Sequence, residues 1–567
     1  MKTQIIFALL WAGTTLAMIA CLCLPISVLA QPESNVPAPV AQRIIAADYN
    51  AVKGPRSQVF HACVGAGRVG EGLRADWQAQ LRVCRDEIGF KYLRCHGLLH
   101  DELGVYREDK NGSPVYNWQY IDLVYDYLLS IGVRPLVEVG FMPDDLASIR
   151  TETAGPDGMA ADPAHPGQQR RVSVFWWKSN VTPPKDWNKW DGLIHALVQH
   201  WTTRYGAAEV AKWPFEVWNE PNHVAFWSPT DSSKRMEEYF ELYAHTARTI
   251  TGINPAYQVG GPATAGPTYI KELIAYCTQN KVPLDFISYH TYGLGGGPGG
   301  FDEFGDKVLY VNENPRAVAD TANSQSSVIA GSSKPGLPVY LTEWSASYSE
   351  RDPVHDNYFS APYILEQLKN TETLAAMSYW TFTDIFEENG VPPRPFYGGF
   401  GLLNVQGIKK PSFFAYRFMN QLGDQELVNR DEQSWICRDR KGCVQALFWD
   451  LTMKPNPTVS DQAYFRQVRP APLKESVTLA VKSLSSGRYH LAVYRVGFEK
   501  NDAYTAYLKM GAPNQIDRAQ VAHLKALASG KPEWERDVRI AKNGLWTADF
   551  PLRANDVFFA TLTPLGH

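Results

Sequence analysis

Two short apolar stretches of this chain each end in a glutamate. They are residues 215–220 (FEVWNE) and 337–343 (LPVYLTE), and both are rich in the β-branched and aromatic residues that are typical of buried strands. Burying a carboxylate is unfavourable unless it is paired or used in chemistry. Glycoside hydrolysis needs two such groups, because one carboxylic acid protonates the leaving oxygen while a carboxylate acts on the other side of the anomeric carbon. We therefore predict that Glu220 and Glu343 form a catalytic pair.

The two glutamates lie far apart in the sequence, so only the fold can bring them together. From about residue 58 an apolar strand, a loop and an amphipathic helix alternate along the chain. Eight strands are predicted, at residues 60–65, 92–97, 136–142, 215–220, 257–260, 286–290, 337–343 and 377–381. Eight such units predict an α/β fold, a (β/α)8 TIM barrel. In this barrel Glu220 and Glu343 end the fourth and seventh strands, which open onto the same pocket.

Other polar residues accompany the two glutamates at the predicted strand ends. Strict alternation along a strand would send Asn219 and Glu220 to opposite faces. Because Pro221 ends or kinks the strand, we expect both side chains to reach the pocket. His290 and Tyr292 share a face of the sixth strand, from which their donors could reach sugar hydroxyls or the nucleophile.

Two further glutamates lie deeper in their predicted strands. A carboxylate in a barrel interior needs a charged partner. We therefore interpret Glu138 and Glu216 as structural partners of barrel arginines such as Arg94.

The pattern changes after about residue 422. Short strands separated by turn residues are predicted at 435–438, 444–449, 477–481, 489–496 and 557–562, which is typical of a β-sandwich. This C-terminal domain has no catalytic cluster, and we expect it to pack against the flank of the barrel, with sugar binding as the alternative. The predicted domains are a signal peptide (1–30), a linker and N-terminal segment (31–58), the catalytic barrel (59–421) and the β-sandwich (422–567).

The charge balance argues against several classes of partner. The formal net charge is −4 at pH 7, and both signs are mixed along the sequence. Neither nucleic acid nor an anionic membrane surface is therefore expected as a partner. A carbohydrate substrate is the expected ligand, and the oligomeric state is left open.

The N-terminus has the features of a secretory signal. Lys2 precedes an apolar stretch, and Val28-Leu29-Ala30 offers small residues for cleavage. We predict export to the periplasm or the medium without stable membrane insertion, and an uncleaved anchor is the alternative. Cys437 and Cys443 flank a predicted hairpin tip and could form a disulfide in an oxidising compartment. The Cys and His spacing does not suggest a zinc site.

Several segments between about residues 60 and 416 resemble glycoside hydrolase family 39 of clan A. They include, in order, residues 94–97 (RCHG), 180–184 (NVTPP), 218–221 (WNEP), 288–292 (SYHTY), 341–344 (LTEW) and 379–388 (YWTFTDIFEE). The resemblance implies that Glu220 is the acid/base and Glu343 the nucleophile of a retaining glycosidase. It also implies a sugar subsite lined by His96, Asn219, His290, Tyr292, Trp380 and Glu388, with no metal or organic cofactor.

The same resemblance bears on the substrate, because the family holds β-D-xylosidases and α-L-iduronidases. Iduronate carries a carboxylate, which needs a cation or several donors, and family iduronidases place a lysine where this chain has Tyr292. We therefore expect a retaining hydrolase that removes terminal β-D-xylosyl residues from xylo-oligosaccharides or xylosides through a covalent glycosyl-enzyme intermediate. The alternatives are an α-L-iduronidase, a hydrolase of α-L-arabinopyranosides or β-galactosides, and a non-catalytic carbohydrate-binding protein. The choice between exo and endo action stays open.

Overall fold

The computed structural model describes residues 42–151, 172–371, 373–386 and 388–566. The predicted signal peptide lies outside these residues. The described part begins with two strands, β1 (Arg43–Asp48) and β2 (Val52–Pro55). Both lie in the predicted linker and N-terminal segment, but each pairs with a strand that follows the barrel in the sequence.

Eight parallel strands close into a barrel, which confirms the predicted fold. The strands of this region are, in chain order, β3 (Cys63–Arg68), β4 (Tyr92–His96), the hairpin strands β5 (Tyr106–Glu108) and β6 (Pro114–Tyr116), β7 (Arg134–Val139), β8 (Pro214–Val217), β9 (Gln258–Ala265), β10 (Phe286–Tyr292), β11 (Val339–Ser345) and β12 (Ala376–Tyr379). All except the hairpin strands belong to the barrel, in which β12 pairs with β3. All eight strands therefore end at the same mouth.

Helices connect the successive barrel strands. They are α1 (Ala75–Glu87), α2 (Gln119–Ser130), α3 (Trp187–Tyr205), α4 (Ala207–Val210), α5 (Arg235–Ile253), α6 (Ile270–Asn280), α7 (Ala317–Ala330), α8 (Ser360–Lys369) and α9 (Pro411–Gln421). Asp186 caps α3 by accepting hydrogen bonds from the backbone N–H groups of Asn188 and Lys189. Across the described ranges, every helix is too short or too polar to cross a bilayer.

Two further sheets combine β1 and β2 with the strands that follow the barrel, and they form the predicted β-sandwich. Their remaining elements are β13 (Gln425–Leu427), β14 (Ser434–Arg438), β15 (Val444–Trp449), α10 (Asp461–Phe465), β16 (Val477–Lys482), β17 (Gly487–Val496), α11 (Ala503–Lys509), α12 (Arg518–Leu527), β18 (Trp534–Ile540), β19 (Trp546–Phe550) and β20 (Val557–Pro564). One sheet has the order β1-β16-β19, and the other has the order β18-β17-β20-β15-β14-β13-β2. The larger sheet packs against α9 of the barrel, where Phe418 stacks on Phe559 with ring centroids 5.2 Å apart.

The two cysteines at the β14–β15 hairpin are free thiols in the structure. The antiparallel register places Cys437 opposite Gln445, so Cys443 is not its direct partner across the strands. The disulfide considered from the sequence is therefore not formed, although the predicted hairpin is.

Candidate active site

Glu220 stands just beyond the end of β8, where the backbone leaves the extended conformation. Trp218 and Glu220 have φ angles of 73° and 45°, in the left-handed region that is unfavourable for non-glycine residues. The backbone N–H of Glu220 donates to the carbonyl of Ala263 at 2.8 Å, which holds the chain in this conformation. The strand ends at Val217, before the predicted end at Glu220, and Asn219 and Glu220 both line the central cavity as the sequence predicts.

Glu343 lies in β11 and is held by two hydrogen-bond donors, with a histidine beside it. The Nη1 of Arg94 is 2.8 Å from Oε1, and the hydroxyl of Tyr292 donates to Oε2 at 2.6 Å. The Nε2 of His96 lies 3.5 Å from Oε1. These contacts fix the orientation of a carboxylate that is only 4% exposed.

The carboxyl groups of Glu220 and Glu343 are close neighbours. Glu220, His290 and Glu343 each present one ligand atom, and these three atoms lie within 4.8 Å of one another. One carboxyl oxygen of Glu220 is therefore within 4.8 Å of a carboxyl oxygen of Glu343. Retaining glycosidases hold their two carboxyl groups about 5–5.5 Å apart, whereas inverting enzymes keep them roughly 6.5–9.5 Å apart to admit a water.

The surroundings push the two glutamates toward different protonation states. Burial, together with the charge of Glu343, raises the pKa of Glu220 well above its usual range. Burial also raises the pKa of Glu343, but Arg94, His96 and Tyr292 all act in the opposite direction. We therefore assign the proton to Glu220 and the negative charge to Glu343.

His290 connects the two glutamates. Its Nδ1 lies 2.8 Å from Oε1 of Glu220 and 3.4 Å from Oε2 of Glu343. Burial and the nearby Arg94 lower the pKa of His290 well below its usual value, so the imidazole is neutral. A β-bulge between Tyr289 and His290 places His290 directly opposite Glu343 in the β10–β11 ladder.

Arg94 forms the charged centre of the barrel interior. Its guanidinium is 2.5 Å from Glu216 and 2.9 Å from Glu138, which confirms the structural interpretation of these two glutamates. Its Nη2 also donates to the Oδ1 of Asn219 at 3.0 Å. These carboxylates raise the pKa of Arg94 above its usual value and offset the cost of its complete burial. The sequence did not predict that Arg94 would contact Glu343.

The remaining predicted subsite residues are His96, Trp380 and Glu388, which also line the cavity. The Nδ1 of His96 is 2.7 Å from Oε2 of Glu138, and its ring packs on Trp380 with centroids 4.6 Å apart. Burial and the neighbouring acids Glu350 and Glu343 raise the pKa of Glu388 well above its usual range. Trp380 is 1% exposed, so it forms part of the floor of the cavity.

The cavity at the barrel mouth has a volume of about 640 Å³ and brings together all eight residues predicted from the sequence. These are His96, Asn219, Glu220, His290, Tyr292, Glu343, Trp380 and Glu388. Nine further lining residues were not predicted. Ala265 and Thr291 lie near the ends of β9 and β10, and the others come from loops: Val174, Phe175, His223, Phe226, Gly266, Leu294 and Tyr348. Loop residues show no sequence periodicity. Only their position after the predicted strands could have indicated that they line the cavity.

Among the described residues, Glu220, His290 and Glu343 are also the group whose ligand atoms are close enough to hold a metal ion. The guanidinium of Arg94 already contacts Glu343, so a second cation there would meet electrostatic repulsion. The arrangement instead suits one carboxyl group that keeps its proton beside a second one that is ionised.

Comparisons with known proteins identify the family of this chain. The sequence model described as Glycosyl hydrolases family 39 matches residues 44–155 and 165–545. A β-xylosidase of Geobacillus stearothermophilus is 36% identical over 501 residues, which cover 87% of this chain and 90% of that protein. A β-xylosidase of Caldicellulosiruptor saccharolyticus is 34% identical over 536 residues, covering 91% and 98% of the two chains. The crystal structure of a monomeric β-xylosidase from Caulobacter crescentus superimposes with a TM-score of 0.84 at 40% identity, covering 92% of this chain and all of that one.

Proposed function

Because this chain belongs to glycosyl hydrolases family 39 and is therefore a glycosidase, we propose that it removes terminal β-D-xylosyl residues from xylo-oligosaccharides or xylosides with retention of configuration. The observation that carries the mechanism is the distance between the carboxyl oxygens of Glu220 and Glu343, which is within 4.8 Å. This distance suits direct attack by one carboxylate and lies well short of the roughly 6.5–9.5 Å spacing at which inverting enzymes admit a water.

In the first step a carboxylate oxygen of Glu343 attacks the anomeric carbon. The bond from that carbon to the leaving oxygen breaks, and Glu220 transfers its proton to the leaving oxygen. Arg94 and Tyr292 orient the nucleophile through their hydrogen bonds to its two oxygens. The product of this step is a glycosyl ester on Glu343 and a free leaving group.

In the second step Glu220 acts as a base. Esterification neutralises Glu343 and so removes a negative charge that raised the pKa of Glu220. The pKa of Glu220 falls, and Glu220 stays ionised after it has given up its proton. Glu220 then takes a proton from water while the water oxygen attacks the anomeric carbon. The ester bond breaks, and Glu343 leaves as a carboxylate.

The cavity favours a neutral sugar over a uronate. The hydroxyl of Tyr292 is used on Glu343, and a phenol is a poor counter-charge for a carboxylate. Within the described lining of the cavity there is no lysine or arginine, whereas Glu388 adds a further acid. A sugar carboxylate would therefore enter an acidic pocket without a cation to pair with. This supports a pentoside rather than an iduronide as the substrate.

A turnover assay on 4-nitrophenyl glycosides tests the proposal. The full chain is assayed with the β-D-xyloside, the α-L-arabinopyranoside, the β-D-galactoside and the matching aryl α-L-iduronide. We expect the highest kcat/KM for the β-D-xyloside, and early ¹H NMR spectra should show β-D-xylose as the first product. A preference for the iduronide would overturn the sugar assignment, α-D-xylose as first product would overturn retention, and no turnover would favour a binding protein.

The location of the enzyme is a separate proposal that rests on the N-terminal sequence. Residues 1–30 have a charged start, an apolar stretch and a small-residue cleavage site, so we propose that the enzyme is exported to the periplasm or the medium. N-terminal sequencing of the mature protein should begin at Gln31. An intact N-terminus in a membrane fraction would indicate an anchor instead.

A further inference from the structure

Tyr348 is an aromatic side chain at the rim of the cavity that is anchored but open to solvent. It follows β11, lines the cavity and is 48% exposed. Its ring meets the ring of Tyr292 edge-on, with centroids 6.3 Å apart and an interplanar angle of 84°. Its hydroxyl accepts a hydrogen bond from the Nζ of Lys307 at 2.9 Å. The ring therefore has a fixed position next to the residue that holds the nucleophile.

The sugar that is cleaved off and the leaving group of a substrate must bind at different depths in the cavity. His96, Asn219 and Trp380 are at most 2% exposed, so they surround the sugar that enters deepest. The next group along the substrate, which departs with the leaving oxygen, must lie toward the rim. Tyr348 offers an aromatic face there, and aromatic faces bind the apolar faces of flat ring systems.

Lys307 belongs to the mouth loop, which we define as residues 293–311 between β10 and α7. Residues 293–300 of this loop are rich in glycine, and glycine has more conformational freedom to lose than any other residue. Leu294 of the loop also lines the cavity. The position of the mouth loop beside the cavity therefore depends on contacts with residues outside the loop.

Such contacts come from the α10 segment (residues 461–466), which precedes the sandwich strands β16 to β20. Arg466 makes an ion pair with Asp302 at 2.6 Å and a second one with Glu303 at 3.3 Å. Its guanidinium also lies 5.0 Å from the centroid of the Phe304 ring. All three partners are at the tip of the mouth loop.

The α10 segment also holds the backbone next to the lysine that anchors Tyr348. Gln462 accepts a hydrogen bond from the N–H of Leu309 at 3.0 Å and donates to the carbonyl of Lys307 at 3.2 Å. The N–H of Asp461 donates to the carbonyl of Leu309 at 2.8 Å. A continuous set of contacts therefore runs from the C-terminal domain through Lys307 to Tyr348.

We propose that Tyr348 binds the sugar ring of the leaving group, and that the α10 segment positions Tyr348 by restraining the mouth loop. The C-terminal domain thereby contributes to substrate selection, although it has no residue in the sugar subsite. This inference rests on the proposed xylosidase function, because the leaving group of that reaction is the next xylosyl residue.

Two xylosyl donors separate binding of the leaving sugar from the chemistry at the anomeric carbon. Xylobiose has a leaving sugar that can reach Tyr348, whereas the leaving group of β-D-xylosyl fluoride is a single atom. We expect Tyr348→Ala to lower kcat/KM for xylobiose about tenfold more than for the fluoride, mainly through KM. Tyr348→Phe keeps the ring and should keep most of the preference for xylobiose.

Equal losses on the two donors, or no loss on either, would overturn the binding role of Tyr348. Failure of the unmodified enzyme to hydrolyse either donor would instead overturn the proposed function, and the inference with it. The comparison of variant with unmodified enzyme therefore shows which of the two has failed.

The role of the α10 segment is tested with Arg466→Ala on the same two donors. We expect Arg466→Ala to lower kcat/KM by less than Tyr348→Ala does, and again more for xylobiose than for the fluoride. Arg466→Lys should restore much of this activity, because it keeps the ion pair with Asp302. Arg495→Ala is the matched control, because Arg495 pairs with Asp556 at 2.7 Å and lies 5.1 Å from the Phe558 ring centroid, inside the sandwich. An unchanged ratio of the two activities in Arg466→Ala, or an equal change in Arg495→Ala, would overturn the positioning role.

Discussion

The hydrogen bond from Tyr292 to Glu343 gives a prediction about the pH dependence of catalysis. Burial and the nearby charge of Glu343 raise the pKa of Tyr292 well above its usual value, so the phenol stays protonated and donates throughout the working range. The contact is 2.6 Å long, and its acceptor is the proposed nucleophile, which has to be ionised to attack. Because the bond stabilises the ionised form, Tyr292→Phe should raise the pKa of Glu343.

The size of this effect follows from the strength of such bonds. A hydrogen bond to a charged group contributes about 1.5–3 kcal/mol, and roughly 1.36 kcal/mol corresponds to one pKa unit. We therefore expect Tyr292→Phe to move the acid limb of the kcat/KM profile upward by about one to two pH units. The profile is measured with an aryl β-D-xyloside over the pH range in which the variant stays folded.

Tyr289→Phe is the matched control for this experiment. Tyr289 lies on the same strand, is fully buried, and has no hydrogen-bond partner for its hydroxyl among the described residues. Its substitution should leave the acid limb in place. An acid limb that stays fixed or moves downward in Tyr292→Phe would refute the assignment of this limb to Glu343, and equal shifts in both variants would point to a general change in packing.

Three further predictions concern the charged groups of the barrel interior. Glu220→Ala should lose most of its activity and recover it when azide is supplied with an activated aryl xyloside, yielding a β-xylosyl azide; an inverted azide product would assign the nucleophile role to Glu220 instead. Arg94→Met should lower the free energy of unfolding by about 3–5 kcal/mol, because it leaves Glu138, Glu216 and Glu343 buried without their cation; denaturant titration measures this loss, and an unchanged midpoint would contradict it. Glu138→Gln removes a negative charge that raises the pKa of both Glu220 and Glu343. Both limbs of the pH profile of kcat/KM should therefore move to lower pH. A shift of one limb alone would contradict this reasoning.

The sequence predicted the barrel because each of its units is local. An apolar strand, a loop and an amphipathic helix can be recognised within a few tens of residues, and the observed strands overlap all eight predicted ones. Strands β1 and β2 were missed for the opposite reason. They are short and pair with strands that lie several hundred residues later in the sequence, so no local pattern indicates their partners.

The site was predicted as a set of residues but not as a set of contacts. All eight predicted side chains line the cavity, because functional residues at strand ends must meet at the mouth of a closed barrel. The contacts of Arg94 with Glu343 and of His290 with Glu220 depend on barrel closure, on the bulge at His290 and on the left-handed backbone at Glu220. Sequence periodicity carries no information about any of these features.

An excess of negative charge explains two properties of the site at once. Arg94 brings one positive charge into contact with three buried carboxylates, and Glu220 adds a fourth acid within 4.8 Å of Glu343. In such surroundings an additional carboxyl group is more stable when it keeps its proton, which is the state that a general acid requires. The carboxylate of a uronate would meet the same repulsion, and it could not remain ionised there without a new cation. Under the proposed mechanism, the electrostatic field that keeps the proton on Glu220 would therefore also disfavour a charged sugar.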